Sequence, residues 1–235
     1  MTTTDQRIRR PAATRYAVPV AGAAVAVMGT LGIIALADSA TESDGLAAFD
    51  PEFTADAVGS RTAPLTVLAR ALTFLGDVPV LVVLMLVAAG LVFRATRSWR
   101  APGLLLFAMA GSAALTYGLK ALVERHRPGI TFVLGPVDTS FAFPSGHTLN
   151  STVFLGMVCS LVWTGLGSRV AKGAAVSAAL VLSTGIGLSR VYLGYHWATD
   201  VLAGWTVAVT WLAIVVTAAQ LTRWLPGAMG RAPEE

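Results

Sequence analysis

The sequence is poor in charged residues and in cysteine. Only 13% of its 235 residues are Asp, Glu, Lys or Arg, whereas 55% are hydrophobic. Soluble globular domains carry about 25% charged residues, so this composition argues against a water-soluble protein. The single cysteine, Cys159, cannot form a disulfide bond within the chain, and its place inside an apolar run favours a packing role.

Several functional patterns are also absent. The net charge is +4, but no basic stripe with interleaved aromatic residues occurs, so we expect no nucleic-acid partner. The sequence has neither a carboxylate cluster nor a His-x-x-x-His pattern, so we predict no metal site and no other cofactor. No internal repeat is present, which argues against the duplicated architecture of many transporters.

Long apolar runs dominate the sequence. Six of them have the length of about 20 residues that crosses the hydrocarbon core of a bilayer. We predict membrane spans at Ala17–Ala37, Leu72–Phe93, Ala101–Leu119, Thr148–Leu166, Val170–Leu188 and Trp197–Leu221. Because every backbone polar group needs an internal partner in hydrocarbon, runs of this length form helices rather than barrel strands. The predicted fold is therefore all-α, with a six-helix membrane domain at residues 17–222.

The distribution of charge predicts the orientation of these spans. Positively charged residues concentrate in cytoplasmic loops. With the amino terminus inside, the basic segments at residues 7–15, 94–100 and 169–172 all face the cytoplasm. We therefore predict a multi-pass protein of the cell membrane, with cytoplasmic tails at residues 1–16 and 223–235.

The first span and the outer loop after it, at about residues 38–64, each leave two interpretations open. Ala35-Leu36-Ala37 resembles a signal-peptide cleavage site, but the apolar stretch is longer than a usual signal core and favours an uncleaved helix. The other five spans keep their orientation in either case. The outer loop collects six acidic residues and forms either an interfacial helix or a mobile acidic loop.

Three short polar clusters interrupt the apolar pattern, and all map to the predicted outer ends of spans three to six. In the first cluster, Lys120 closes span three and Arg127 follows seven residues later, before helix-ending Pro128. Seven residues make about two helical turns, so both cations could project from one face toward one anion. Alternatively, both side chains extend toward lipid headgroups, as cations near span ends commonly do.

The second cluster, Pro144-Ser145-Gly146-His147, precedes span four. Unpaired backbone N–H groups and the helix dipole make such a helix start a site for an anion, and Gly146 permits a close approach. Alternatively, Ser145 or Thr148 only caps the helix.

The third cluster places Ser189-Arg190 at the end of span five, and His196 and Asp200 at the start of span six. His196 and Asp200 are four residues apart and hence on one helical face, where the carboxylate can hold one imidazole nitrogen and leave the other free. That arrangement is typical of an oriented nucleophile or base. Alternatively, the pair only satisfies two buried polar groups.

Together these residues resemble the three-part signature of the type 2 phosphatidic acid phosphatase superfamily, which is related in fold to vanadium haloperoxidases and bacterial acid phosphatases. The signature appears here as Lys120 with Arg127-Pro128, then Pro144-Ser145-Gly146-His147, then Ser189-Arg190 with His196 and Asp200. The match covers residues 120–200 directly, and the six-span layout extends it over most of the chain.

The resemblance implies hydrolysis of a lipid phosphate through a covalent phosphohistidine, without a metal. The implied catalytic residues are His196 as nucleophile, Asp200 as the carboxylate that polarises it, and His147 as the acid that protonates the leaving group and then activates water. The implied phosphate-binding residues are Lys120, Arg127, Ser145, Gly146 and Arg190. These roles agree with the chemistry that each side chain can perform.

A site at helix ends near the headgroup level suits an amphiphilic substrate whose tails stay in the bilayer. Phosphatidate, phosphatidylglycerophosphate and polyprenyl diphosphate are the candidates, and the sequence does not choose among them. Two other classes stay open: a vanadate-dependent oxidase of the haloperoxidase type, and a transporter of lipids or anions. The membrane setting disfavours the oxidase, and charges gathered at one surface rather than at the midplane disfavour the transporter.

Other polar and aromatic residues near these clusters receive no catalytic role. His126 is interpreted as a solvated loop residue. Asp77, near the outer end of span two, either lines the cavity or forms an interfacial cap, and the cap is the more economical interpretation. Four aromatic residues fall where an aromatic belt is expected, namely Tyr117, Tyr192, Tyr195 and Trp197.

Overall fold

The computed structural model describes residues 12–163 and 165–224. Within these residues the chain forms eight α-helices and two short 3-10 turns, and no strand, which confirms the all-α prediction. The helices are α1 (Ala12–Glu42), α2 (Asp50–Gly59), α3 (Ala63–Leu75), α4 (Val78–Thr96), α5 (Arg100–Val123), α6 (Gly146–Val162), α7 (Arg169–Tyr192) and α8 (Ala198–Trp224). The predicted tails at residues 1–16 and 223–235 lie mostly outside the described residues.

Five helices of the described chain are long and apolar enough to cross a membrane: α1 from Pro19 onward, α4, α5, α7 and α8. The helix of predicted span four, α6, is also apolar but has only 17 residues. At 1.5 Å per residue it covers about 26 Å, slightly less than the hydrocarbon core of about 30 Å. The count of six spans therefore stays a prediction.

The predicted start of span two is wrong. Residues 72–75 belong to α3, and α4 begins only at Val78, after a break at Gly76 and Asp77. Asp77 has an extended backbone, with φ −64° and ψ 139°, and a proline lies in the first turn of α4. A proline lacks a backbone N–H and fits the first helical turn, so it favours a new helix here rather than a continuous one.

The predicted outer loop is partly helical. α1 continues to Glu42, and α2 occupies residues 50–59. Phe49 and Phe53 expose 65% and 51% of their surface beside and within α2. A short helix with exposed aromatic rings fits the interfacial interpretation better than a mobile loop.

α6 is the central element of the bundle. It packs against α4, α5, α7 and α8, while α1 packs along α8. Leu149, Val153 and Met157 of α6 are almost fully buried and join the largest hydrophobic core with Leu105 of α5 and Val207 of α8. The polar start of α6 therefore lies where the ends of its neighbouring helices meet.

Candidate active site

His196 lies in the tight connection between α7 and α8. Gly194 permits this turn because its φ is +80°, and a Cβ atom there would overlap the carbonyl oxygen of Phe132. The imidazole is almost fully buried, and its Nδ1 lies 3.4 Å from Asp200 Oδ2. The same carboxylate oxygen accepts a hydrogen bond of 2.9 Å from the backbone N–H of Trp197. The carboxylate thus fixes the ring through Nδ1 and leaves Nε2 for chemistry.

The charge state of His196 follows from its surroundings. Burial, together with the cationic side chains of Arg127, Arg190 and Lys120, holds the pKa of His196 well below its ordinary value of 6.5. Arg127 Nη1 lies 3.3 Å from His196 Nε2, where a lone pair of the neutral ring can accept its hydrogen. The imidazole is therefore neutral at neutral pH, which is the state in which an imidazole nitrogen can attack an electrophile.

Lys120 and Arg127 reach one cavity from different elements. α5 ends at Val123, and Glu124 adopts a left-handed backbone with φ 48°, so Arg127 lies in a loop. The expectation that one helical face carries both cations is therefore wrong. Both nevertheless line the same cavity, together with His147 and His196.

Both cations are engaged by the segment of residues 138–141. Lys120 Nζ donates to the carbonyl oxygen of Phe141. Arg127 donates through Nε to the Ser140 carbonyl oxygen at 2.7 Å and through Nη2 to Asp138 Oδ2 at 2.6 Å. Although partial burial raises the pKa of Asp138, the Ser140 N–H and the Arg127 guanidinium lower it overall, so this carboxylate is charged. An anion that entered the cavity would compete with these contacts.

The start of α6 is linked directly to the backbone of Asp200 in the third cluster. The backbone N–H of the buried Ser145 donates to the carbonyl oxygen of Asp200 at 3.0 Å. Ser145 occupies the cap position of α6 but makes no side-chain cap, and its hydroxyl instead accepts a hydrogen bond from Thr148. The alternative in which Ser145 or Thr148 only caps the helix is therefore wrong. Gly146 lines the same cavity as the two histidines.

Arg190 lies in the last turn of α7 and is buried. Its guanidinium donates to Thr73 Oγ1 at 2.7 Å and stacks 4.1 Å from the centroid of the Tyr195 ring. Among the described residues, its Nε is one of two buried side-chain nitrogen or oxygen atoms without a hydrogen-bond partner. An unpaired buried donor costs about 1–3 kcal/mol, and an anionic oxygen would satisfy it.

The cavity joins this polar end to an apolar wall. It measures about 940 Å³ and extends between α4 and α5. Its apolar lining includes Leu81, Val82, Met85, Leu106 and Met109. Few ligands other than an amphiphile match a cavity with cations and imidazoles at one end and aliphatic side chains along the other.

Comparison with known proteins decides the family. A family model described as PAP2 superfamily matches residues 101–224, which is more than half of the chain. The chain belongs to the PAP2 superfamily. The matched region contains all the signature residues between Lys120 and Asp200 that the sequence analysis selected.

Several PAP2 relatives are similar over substantial parts of the chain. Phosphatidylglycerophosphatase B of Bacillus subtilis (strain 168) is 31% identical over 141 residues, which are 59% of this chain and 67% of that protein. Undecaprenyl-diphosphatase of Sulfolobus acidocaldarius is 31% identical over 85 residues, 36% of each chain. The crystal structure described as the first transmembrane PAP2 type phosphatidylglycerolphosphate phosphatase from Bacillus subtilis superposes with a TM-score of 0.77 at 26% identity. That match covers 83% of this chain and 96% of the other.

The PAP2 signature does not include Arg125 and Asp50, which the structure joins to the site. Arg125 bridges Asp200 Oδ1 at 2.7 Å and Asp50 Oδ2 at 2.8 Å. Asp50, at the start of α2, also accepts hydrogen bonds from the backbone N–H and the hydroxyl of Thr199. The start of α2 is thus tied to the carboxylate that holds His196. Asp50 could not be identified from the sequence, because nothing there distinguishes it from the five other acidic residues of the same predicted loop.

Asp77 is a further residue near the site to which the sequence analysis gave no catalytic role. Its carboxylate oxygen Oδ1 lies 2.8 Å from His147 Nε2. Although Asp77 occupies the cap position of α4, its side chain makes no cap hydrogen bond, so the interpretation as a helix cap is wrong. The dipeptide Gly76-Asp77 within an apolar run was the available signal.

The remaining polar and aromatic residues behave differently from one another. His126 is exposed, as expected of a solvated loop residue, and its carbonyl oxygen accepts a hydrogen bond from Trp197 Nε1. The Tyr195 ring stacks on Arg190, and the Tyr195 carbonyl oxygen accepts a hydrogen bond from Arg127. Tyr195 therefore contacts the site and is not only a member of an aromatic belt. Tyr117 is 71% exposed. No cluster of three or more metal-binding side chains occurs among the residues that the structure describes.

Proposed function

We propose that this PAP2-superfamily protein is a lipid phosphatase that hydrolyses the phosphate ester or diphosphate of a membrane lipid through a phosphohistidine intermediate, without a metal. The observation that carries the proposal is the single cavity in which two histidines and two cations face an apolar wall. The relatives named phosphatidylglycerophosphatase B and undecaprenyl-diphosphatase support the same activity class.

In the first step, His196 Nε2 attacks phosphorus and the bond between phosphorus and the leaving oxygen breaks. Asp200 holds Nδ1–H and stabilises the positive charge that develops on the ring. His147 gives a proton to the leaving oxygen, which departs as an alcohol or a phosphate monoester. Lys120, Arg127 and Arg190 neutralise the nonbridging oxygens, and Ser145 with the Gly146 N–H completes the anion site.

In the second step, the now neutral His147 takes a proton from water. The hydroxide attacks phosphorus, the N–P bond breaks, and its electron pair returns to His196 Nε2. Inorganic phosphate leaves and both histidines regain their starting protonation states. The two imidazoles hold opposite roles because their neighbours differ: a buried, fully shielded carboxylate for His196 and a half-exposed one for His147.

The cavity supports an amphiphilic substrate. Phosphate at the polar end leaves the lipid chains against Met85 and Met109 of α4 and α5. Phosphatidate, phosphatidylglycerophosphate and polyprenyl diphosphate all satisfy this geometry. We further propose a location in the cell membrane with both termini cytoplasmic and the site on the extracytoplasmic side, which the basic inner loops support.

Phosphate release from a lipid phosphate in detergent tests the activity. The protein should release inorganic phosphate in the presence of EDTA, and a strict requirement for an added divalent metal would contradict the mechanism. A panel of monophosphate and diphosphate lipids with different tails then defines the substrate.

The nucleophile has its own test. His196→Ala should abolish turnover and prevent acid-labile labelling of the protein with radioactive phosphate, because phosphoramidate bonds hydrolyse in acid. His126→Ala is the matched control, since this exposed histidine has no role in the site, and it should label normally. Near-normal activity of His196→Ala would show that another residue attacks phosphorus.

A further inference from the structure

The break between α3 and α4 is shaped around His147. Gly76 packs directly against this histidine: a Cβ atom at position 76 would lie 3.1 Å from its Cδ2 and 3.3 Å from its Cβ, and 2.8 Å from Ile186 Cγ2. A side chain at position 76 would therefore force Ile186 or His147 to shift. The interruption of the apolar run therefore brings backbone into contact with the imidazole and presents the next residue, Asp77, to it.

The carboxylate of Asp77 meets His147 and not the helix that it precedes. Oδ1 lies 2.8 Å from His147 Nε2, and this is the one hydrogen bond that the ring makes within the described residues. Asp77 heads α4, where aspartate normally caps the first turn, yet its side chain makes no such bond. The side chain is 44% exposed, whereas that of His147 is 20% exposed. The more exposed carboxylate of Asp77 thus binds the more buried imidazole of His147.

We propose that Asp77 is a positioning residue for the general acid: it binds Nε2–H of His147, directs Nδ1 toward the leaving oxygen and stabilises the imidazolium that donates the proton. This inference rests on the proposed function. During the first step the proton on Nδ1 moves to the leaving oxygen while Nε2–H stays hydrogen-bonded to Asp77. During the second step Nδ1 takes a proton from water, and the imidazolium forms again beside the same carboxylate.

The charges around His147 explain why a carboxylate is needed. Burial of the ring and the facing guanidinium of Arg190 on α7 disfavour the imidazolium, whereas Asp77 and, farther away, Asp138 favour it. His196, with Asp200 on the side away from the cavity, faces three cations and is kept neutral. Each histidine is thus held through one nitrogen by a carboxylate: Nδ1 in His196 and Nε2 in His147. Nε2 of His196 therefore remains for attack on phosphorus, and Nδ1 of His147 remains for proton transfer.

Leaving-group dependence distinguishes positioning of an acid from a structural role. A poor leaving group such as an alkoxide needs the proton, whereas a good one such as p-nitrophenolate departs without it. Asp77→Asn keeps an acceptor oxygen but removes the charge. It should lower kcat for an alkyl lipid phosphate at least about tenfold, a part of the 10²–10⁴-fold that general acid catalysis contributes, and change kcat for p-nitrophenyl phosphate less than about threefold.

Two further variants isolate the effect. In a His147→Ala background, Asp77→Asn should cause no additional loss, because the group that it positions is gone. Asp77→Ser places a residue that is favoured at helix starts, so α4 should form normally, and the same selective loss is expected if Asp77→Asn fails to fold. Asp56→Asn, an exposed carboxylate on α2 with no side-chain hydrogen bond in the described structure, is the matched control and should match wild type.

The outcomes separate this inference from the function on which it depends. Equal losses for both leaving groups, no loss at all, or a further loss in the His147→Ala background would each overturn the role of Asp77 while wild type still releases phosphate. No phosphate release by wild type from any lipid phosphate would overturn the proposed function itself. A selective loss for alkyl esters that disappears in the His147→Ala background supports the inference.

Discussion

Replacing Arg125 with alanine should destabilise the protein and slow its reaction together. The guanidinium forms ion pairs with two carboxylates, of Asp50 and Asp200, whose side chains are only 2% and 0% exposed. Removing one partner of a buried ion pair costs about 3–5 kcal/mol, because the remaining charge is left uncompensated. The total loss in unfolding free energy should equal the cost of one such pair and not of two. Asp50 keeps its hydrogen bonds from Thr199, and Asp200 keeps its hydrogen bond from the Trp197 N–H.

This cost predicts a measurable thermal shift. For a chain of this size, 1 kcal/mol moves the melting temperature by about 2–4 °C, so Arg125→Ala should melt roughly 6–20 °C below wild type. Thermal unfolding in detergent measures the shift, and phosphate release well below both melting temperatures measures the loss of activity. Arg125→Lys keeps the charge but loses the forked guanidinium that reaches both carboxylates. Its melting temperature should therefore lie between those of wild type and Arg125→Ala. Arg70→Ala, at an exposed position of α3, is the control and should shift the melting temperature by no more than about 2 °C.

A second substitution makes the reasoning refutable. In the Arg125→Ala background, Asp50→Asn removes one of the two uncompensated charges, so the double variant should melt above Arg125→Ala alone. If the two losses simply added, or if Arg125→Ala melted within about 2 °C of wild type, the buried ion pairs would not have the energetic role that their geometry indicates.

Two other predictions follow from the electrostatics of the site. Because the pKa of His196 lies well below 6.5, its neutral form persists in mild acid. Protonation of this residue should therefore decrease kcat/KM only at pH values below 6.5. A profile corrected for the substrate's own second ionisation near pH 6 measures it, and a limb at or above 6.5 would contradict the burial argument. Asp138→Asn removes a carboxylate that competes with phosphate for Arg127. Because its side chain is 40% exposed, the pair contributes at most about 1 kcal/mol, so inhibition by inorganic phosphate should become roughly two- to fivefold tighter. Weaker inhibition would mean that Asp138 assists phosphate binding.

Most of the fold could be predicted because hydrocarbon imposes a length on helices. Five of the six predicted spans correspond to helices that satisfy that length. The start of span two failed because two residues, Gly76 and Asp77, scarcely lower the mean hydropathy of a long window even though they end one helix and begin another. Pro79 was the informative residue, since proline favours a first helical turn over a helix interior.

The site was predictable only where chemistry is concentrated in short segments. His147, His196 and their neighbours appear as polar clusters in apolar sequence, so composition alone marks them. The sequence does not show which carboxylates pair with these segments, because Asp77 reaches His147 across 70 positions and Asp50 reaches Thr199 across 149. A carboxylate in an acidic loop has the same sequence appearance whether it is buried against an arginine or solvated, and only packing distinguishes the two cases.

The three cations predicted to bind phosphate differ in what they must give up. Arg127 must exchange the charged Asp138 carboxylate, so its net gain from a phosphate oxygen is small. Lys120 exchanges only the neutral carbonyl oxygen of Phe141 for a charged acceptor, which forms the stronger bond. The buried Nε of Arg190 has no partner in the described part of the chain, so a phosphate oxygen there would replace nothing and relieve an existing cost. Arg190 should therefore contribute most to phosphate affinity and Arg127 least, although Arg127 Nη1 lies only 3.3 Å from His196 Nε2.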